Sequence, residues 1–117
     1  MKTLVASLLL TLLVAYVAAE RAHEMSCTDV DMCIAPCISY LTGEQQSPAP
    51  ACCDGLKKLR TLVAGTTAER RFACNCIKQA AAHLKNLKDD AVSKLPAACG
   101  TPLPFPISLE YDCSSLP

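Results

Sequence analysis

The residues able to do chemistry in this chain are first of all its nine cysteines. Three lie in CTDVDMCIAPC, residues 27 to 37, and the others stand at 52, 53, 74, 76, 99 and 113. Thiols at such spacings have three uses: metal ligation, nucleophilic attack, or pairing as disulfides. Metal ligation would draw on Cys33 and Cys37, one helical turn apart, with His23 nearby, but thiols in an oxidising compartment are lost to disulfides and His23 belongs to a loose N-terminal stretch. Catalysis has little to build on. His23 and His83 sit in no Ser/His/Asp or Cys/His arrangement, and no Gly-rich phosphate loop is present. The adjacent pair Asp89–Asp90 reads as a favourable helix start, acidic groups facing the positive end of the helix dipole. No catalytic residue, metal site or cofactor is expected. Pairing remains, and with an odd count one cysteine is left over.

The N-terminus argues for the oxidising compartment. Lys2 precedes an aliphatic run from Leu4 to Ala15, and small residues Val17-Ala18-Ala19 stand before Glu20 and Arg21. That order is a secretory signal peptide over residues 1–19. The alternative, a membrane anchor, needs about 20 apolar residues, more than this run supplies. Cleavage leaves one domain, residues 20–117, which is expected outside the cell, in the cell wall or apoplast. It carries ten Lys and Arg against eleven Asp and Glu once Lys2 is gone, a balance that disfavours nucleic acid and makes attraction to anionic membranes weak. Large side chains are few, with no Trp, so cross-links must supply much of the stability of so small a domain.

The elements that must hold these cysteines are helical. Val30, Cys33, Ile34, Cys37, Ile38 and Leu41 share one face of a helix over Asp29 to Leu41, bent at Pro36 and ended by Gly43. The loop GEQQSPAP leads to a second helix from about Ala51, with Cys52, Leu56, Leu59 and Val63 along one side and Gly65 closing it. Thr66 and Glu69 form a capping box for a third helix reaching about Leu84. A fourth, Lys88 to Leu95, stops at Pro96. The stretch TPLPFPIS then excludes helix and begins an irregular tail. Neighbouring Cys52 and Cys53 point about 100° apart, and Cys74 and Cys76 about 200° apart. Each pair therefore staples its helix to two different elements, and bridges worth roughly 2–4 kcal/mol each hold a space open between helices. Eight cysteines allow 105 pairings, and spacing alone leaves them open.

Setting Cys33 aside, the order reads C-x9-C-x14-CC-x20-CxC-x22-C-x13-C. This resembles the eight-cysteine motif of plant non-specific lipid-transfer proteins, within the prolamin-type superfamily that also holds seed albumins and amylase/protease inhibitors. The runs ACC-x-G-x-x-x-L at Ala51 to Leu59, TTAER at Thr66 to Arg70, ACNCIK at Ala73 to Lys78, LP-x-x-CG at Leu95 to Gly100 and P-F-P-IS at Pro104 to Ser108 are similar to the type 1 subgroup. The resemblance implies an all-α, compact four-helix, four-disulfide domain around a hydrophobic tunnel, with a long irregular C-terminal tail. It implies the bridges Cys27–Cys76, Cys37–Cys52, Cys53–Cys99 and Cys74–Cys113. Cys33 is then unpaired: an inert small side chain, a reactive thiol, or the link of a disulfide dimer in an otherwise monomeric protein.

The same resemblance implies a secreted carrier that binds fatty acids and phospholipids, touches membranes transiently and is not an enzyme. Each methylene buried contributes about 0.8 kcal/mol, so a chain of about 14 would gain roughly 11 kcal/mol before ordering costs. Candidate tunnel lining, from the helical faces, is Val30, Ile34, Ile38, Leu59, Val63, Ile77, Ala80, Leu84, Val92 and Ile107. The family's head-group arginine and tyrosine correspond to Arg70 and Phe105; Phe105 lacks the hydroxyl, which shifts the polar work toward Arg70 or Lys78. Arg70 as a mere solvated helix residue is the bland alternative. Departures from the type 1 pattern are Pro106, a gap before CxC one residue longer, and the near-neutral charge. An amylase or protease inhibitor, with GEQQSPAP as its loop, and an antimicrobial defence protein are the competing functions on this framework.

Overall fold

A computed structural model describes residues 5–12 and 25–117. Residues 5–12 are helical; the small-residue run Val17 to Ala19 and His23, on which the signal-peptide and metal readings rested, lie outside the described residues. Among the described residues no helix is long and apolar enough to cross a membrane.

The first helix of residues 25–117, α1, runs Cys27–Ile34. It starts two residues before the expected point because Ser26 caps it: the Asp29 backbone N–H donates to Ser26 Oγ (3.2 Å) and the Ser26 N–H to Asp29 Oδ2 (3.0 Å), a reciprocal capping box. Pro36 lacks the N–H that would continue the ladder. The chain tightens there into a 3-10 turn, Ala35–Cys37, before resuming as a short helix, α2, Ile38–Leu41. Helix α3, Pro50–Leu62, opens on a proline at its first position, where no N–H is needed. Helix α4, Thr67–Ala82, is capped by Thr66, whose Oγ1 accepts from the Glu69 N–H (3.1 Å); only this half of the expected capping box forms.

Helix α5, Asp89–Ala98, corrects the expectation that Pro96 ends the fourth helix. Pro96 removes a single bond, the one to the Val92 carbonyl, and the last turn closes beyond it. Gly100, at φ +61°, donates to the Ala97 carbonyl (3.1 Å) and Thr101 to the Pro96 carbonyl (2.9 Å). This is a Schellman ending, and the glycine sets the stop.

Four disulfides tie these elements: Cys27–Cys76 joins α1 to α4, Cys37–Cys52 joins the 3-10 turn to α3, Cys53–Cys99 joins α3 to the end of α5, and Cys74–Cys113 joins α4 to the tail. These are the four pairs that the family resemblance implies. Cys33 is free and buried. Val30, Leu56, Leu59, Val63 and Leu95 fill the core between the bridges. Helices α1 and α3 meet backbone to backbone at Gly55: a Cβ there would lie well inside van der Waals contact distance of the Cys33 carbonyl oxygen. The glycine of the ACC-x-G run thus serves a backbone-on-backbone contact.

The tail is gripped by one stripe of α4. Thr67 Oγ1 donates to a main-chain oxygen of Pro117 (2.7 Å), and Arg71 donates through Nε and Nη2 to the Leu116 carbonyl (3.2 and 2.7 Å). Cys74 is bonded to Cys113, and Lys78 Nζ donates to the Tyr111 carbonyl (2.8 Å). Positions 67, 71, 74 and 78 follow helical spacing, so the tail runs back along α4 with its direction reversed and reaches the cavity described next.

Candidate lipid-binding cavity

The apolar stripe that runs from α1 through the 3-10 turn into α2 divides between two environments. Val30, Cys33 and Cys37 pack inward against α3, whereas Ile34, Ala35 and Ile38 face a cavity of about 210 Å³. Helix α4 supplies Ile77, Lys78, Ala80, Ala81 and Leu84; Leu41 closes one side; Leu87, Val92 and Leu95 come from α5 and the loop before it; Ile107, Ser108 and Leu109 come from the tail. Its walls are hydrocarbon, so water inside has few partners and an aliphatic chain is the natural occupant. The polar side chains that line it are those of Asp31, Lys78 and Ser108, whose exposure sets them at its solvent-facing edge. Asp31 and Ser108 are exposed and Lys78 half-buried.

Of the expected lining, Ile34, Ile38, Ile77, Ala80, Leu84, Val92 and Ile107 border this cavity. Val30, Leu59 and Val63 do not: they are fully enclosed core. A helical face shows which residues point inward but not whether they meet a neighbour or a void, and α3 packs too tightly on α1 to leave one. Leu87 and Leu109 escaped sequence reasoning because they lie in irregular chain, where no periodicity marks a face. Asp31 had a signal that went unused, since it precedes Ile34, Ala35 and Ile38 at helical spacing.

The three expected head-group residues are separated. Lys78 borders the cavity. Arg70 lines a different, open groove with Arg60, Val63, Ala64 and Pro102 to Pro104, its guanidinium donating to the Val63 carbonyl (3.3 Å) and Thr67 Oγ1 (3.2 Å). These bonds brace the α3–α4 turn. Phe105 is a core residue, 5% exposed, bordering a shallow tail groove with Ser93 and Pro96. A buried ring with prolines on either side anchors the tail rather than presenting a lid, and its position explains why a missing hydroxyl is tolerated: nothing there leaves a polar atom stranded. His83 sits exposed at the C-terminal cap of α4.

With this cavity, helical order and bridge pattern in place, the comparison with known proteins is direct. Residues 27–113 match the protease inhibitor/seed storage/LTP family. The chain belongs to the plant non-specific lipid-transfer proteins of that family. It is 40% identical over 116 residues to non-specific lipid-transfer protein 3 of Oryza sativa subsp. indica, spanning 98% of this chain and 95% of that one. Among solved structures it is similar to wheat non-specific transfer protein complexed with two molecules of phospholipid (TM-score 0.70, 40% identity, 77% of this chain and 98% of that one). It is also similar to barley non-specific lipid transfer protein 1 in complex with a lysophosphatidylcholine (TM-score 0.72, 31% identity, 80% and 100%). The all-helical frame of these relatives is the one seen here, tied in this chain by four bridges.

Proposed function

We propose that the protein is a secreted carrier that takes up the acyl chain of fatty acids and phospholipids in this cavity and moves them between membranes or to the cell wall. The observation that carries the reading is a cavity walled by Ile34, Ile38, Ile77, Leu84, Val92 and Ile107, with Asp31 and Lys78 as its charged lining. Transfer of a chain from water into such a space is favourable by about 0.8 kcal/mol per methylene and nearly indifferent to the head group. Broad chain selectivity follows, and the bridges keep the space from collapsing when it is empty. Lys78 is the head-group contact best supported at this edge. Membership of the lipid-transfer proteins supports the carrier role. Residues 1–19, with their aliphatic run and small residues before Glu20, support export as a signal peptide.

The test is displacement of a fluorescent fatty acid by unlabelled lipids. Saturable binding is expected for the purified protein. Ala80→Trp, which fills the cavity from α4, should weaken every acyl ligand at least tenfold regardless of head group, with the helical circular-dichroism spectrum retained. Unchanged binding in a folded Ala80→Trp protein would move the ligand to the outer surface and sink the proposal.

A further inference from the structure

The edge of the cavity carries one acid and one base. Asp31 projects from α1, Lys78 from α4, and Ser108 from the tail. Lys78 Nζ donates to the Tyr111 carbonyl (2.8 Å), a neutral acceptor that leaves its charge uncancelled at bonding distance. The carboxylate acting on it from the tail is Asp112, which accepts instead from the Ser114 N–H (3.0 Å) and Oγ (2.7 Å). Asp31 and Lys78 are the charged residues that line the cavity; Arg71 holds the Leu116 carbonyl, and Arg60 and Arg70 line the separate groove. A fatty carboxylate at this edge therefore meets attraction from Lys78 and repulsion from Asp31. A head group that pairs a phosphate with a quaternary ammonium meets two attractions, phosphate to Lys78 and ammonium to Asp31.

We propose that Asp31 and Lys78 together select single-chain lipids with a zwitterionic head group over anionic ones of the same chain length. Asp31 is the discriminating residue, because Lys78 favours both classes. This rests on the carrier reading above, with the chain supplying most of the affinity and the edge supplying the preference. Both groups are partly solvated, so the preference is modest and screened by salt.

Calorimetric titration of the purified protein with a lysophosphatidylcholine and a lysophosphatidylglycerol of one acyl chain isolates the ammonium. The choline lipid is expected to bind more tightly. Asp31→Asn should weaken the choline lipid and strengthen the glycerol lipid, moving their affinity ratio about two- to fivefold, and added salt should compress the wild-type ratio toward that of the variant. Asp31 is exposed on α1, so the helical spectrum should be unaltered. A wild-type preference for the anionic lipid, or a ratio that Asp31→Asn leaves unmoved, would overturn the assignment while leaving the carrier reading intact. Failure of both lipids to bind the wild type would remove the carrier reading and this inference with it.

Discussion

At the α1–α3 crossing the Cys33 carbonyl oxygen lies where any side chain at residue 55 would have to go. Gly55→Ala must push α1 and α3 apart against the nearby Cys37–Cys52 bridge, and a loss of about 1–3 kcal/mol or more is expected in denaturant unfolding. The Cys33 thiol beside this contact is 6% exposed and unpaired. Burial pushes its pKa above the ordinary thiol value, against a smaller opposing pull from Lys58. The neutral thiol is therefore the folded form. Its contribution to stability is full below the pKa of an unfolded thiol and declines as pH rises through the higher folded value. Cys33→Ser should abolish that alkaline decline while costing little at neutral pH, and native protein should resist alkylation until unfolded. Rapid labelling of the native thiol would show that the crossing opens.

Helix α4 does two jobs on two faces. Ile77, Ala80, Ala81 and Leu84 wall the cavity, while Thr67, Arg71, Cys74 and Lys78 hold the tail. Lys78 belongs to both sets, so cavity and tail are mechanically joined at one side chain. Arg71→Met removes both donors to the Leu116 carbonyl, a loss of about 1 kcal/mol, and should raise amide exchange at Ser115 and Leu116 roughly fivefold with the helices unaffected. The adjoining 3-10 turn, Cys113–Ser115, is capped by Asp112. The Ser114 hydroxyl and N–H hold its carboxyl below the usual carboxylate range. That turn is thus supported above the pKa of an unfolded aspartate and loosens as pH falls through the depressed value. Protection of the same two amides should fall on acidification. An Arg71→Met protein with unaltered exchange would show that the disulfide alone holds the tail.

Across the whole molecule, the bridges span 15 to 49 residues and tie α1, α3, α4 and α5 to other elements. The Cys74–Cys113 bridge, 39 residues apart, matters most to the cavity, because the chain it anchors carries Ile107, Ser108 and Leu109 onto the cavity wall. Replacing both cysteines by alanine should cost about 2–5 kcal/mol, lowering Tm on the order of 10–30 °C. Lipid affinity should drop in parallel even where the helices remain folded. Thermal unfolding and lipid displacement on the one variant check both. Retention of full affinity would mean that α1, α4 and α5 suffice to enclose the chain without the tail.

Local pattern in the sequence determined a good deal: helix after helix from apolar spacing, the Thr66 cap, the irregular tail from its prolines, and the family from the order of its cysteines. Those features depend on residues close in the chain, where spacing and geometry are equivalent. Pairing of the cysteines came through family resemblance, since 105 connectivities are equal on paper until the helices are docked. What the sequence left undecided is long-range. Pro96 looked like a stop until Gly100 and Thr101 closed the turn behind it, and Phe105 looked like a lid until it was seen buried. Val30 shares a helical face with the lining residue Ile34, and Leu59 and Val63 lie on the apolar face of α3, yet tight packing around Gly55 closes the space on their side. Arg70 and Lys78 both lie on α4, but only docking the tail along one stripe of that helix separates a turn-bracing arginine from a lysine at the cavity edge. Whether an apolar face meets a neighbour or a void is set by how closely two backbones approach, a quantity no periodicity carries.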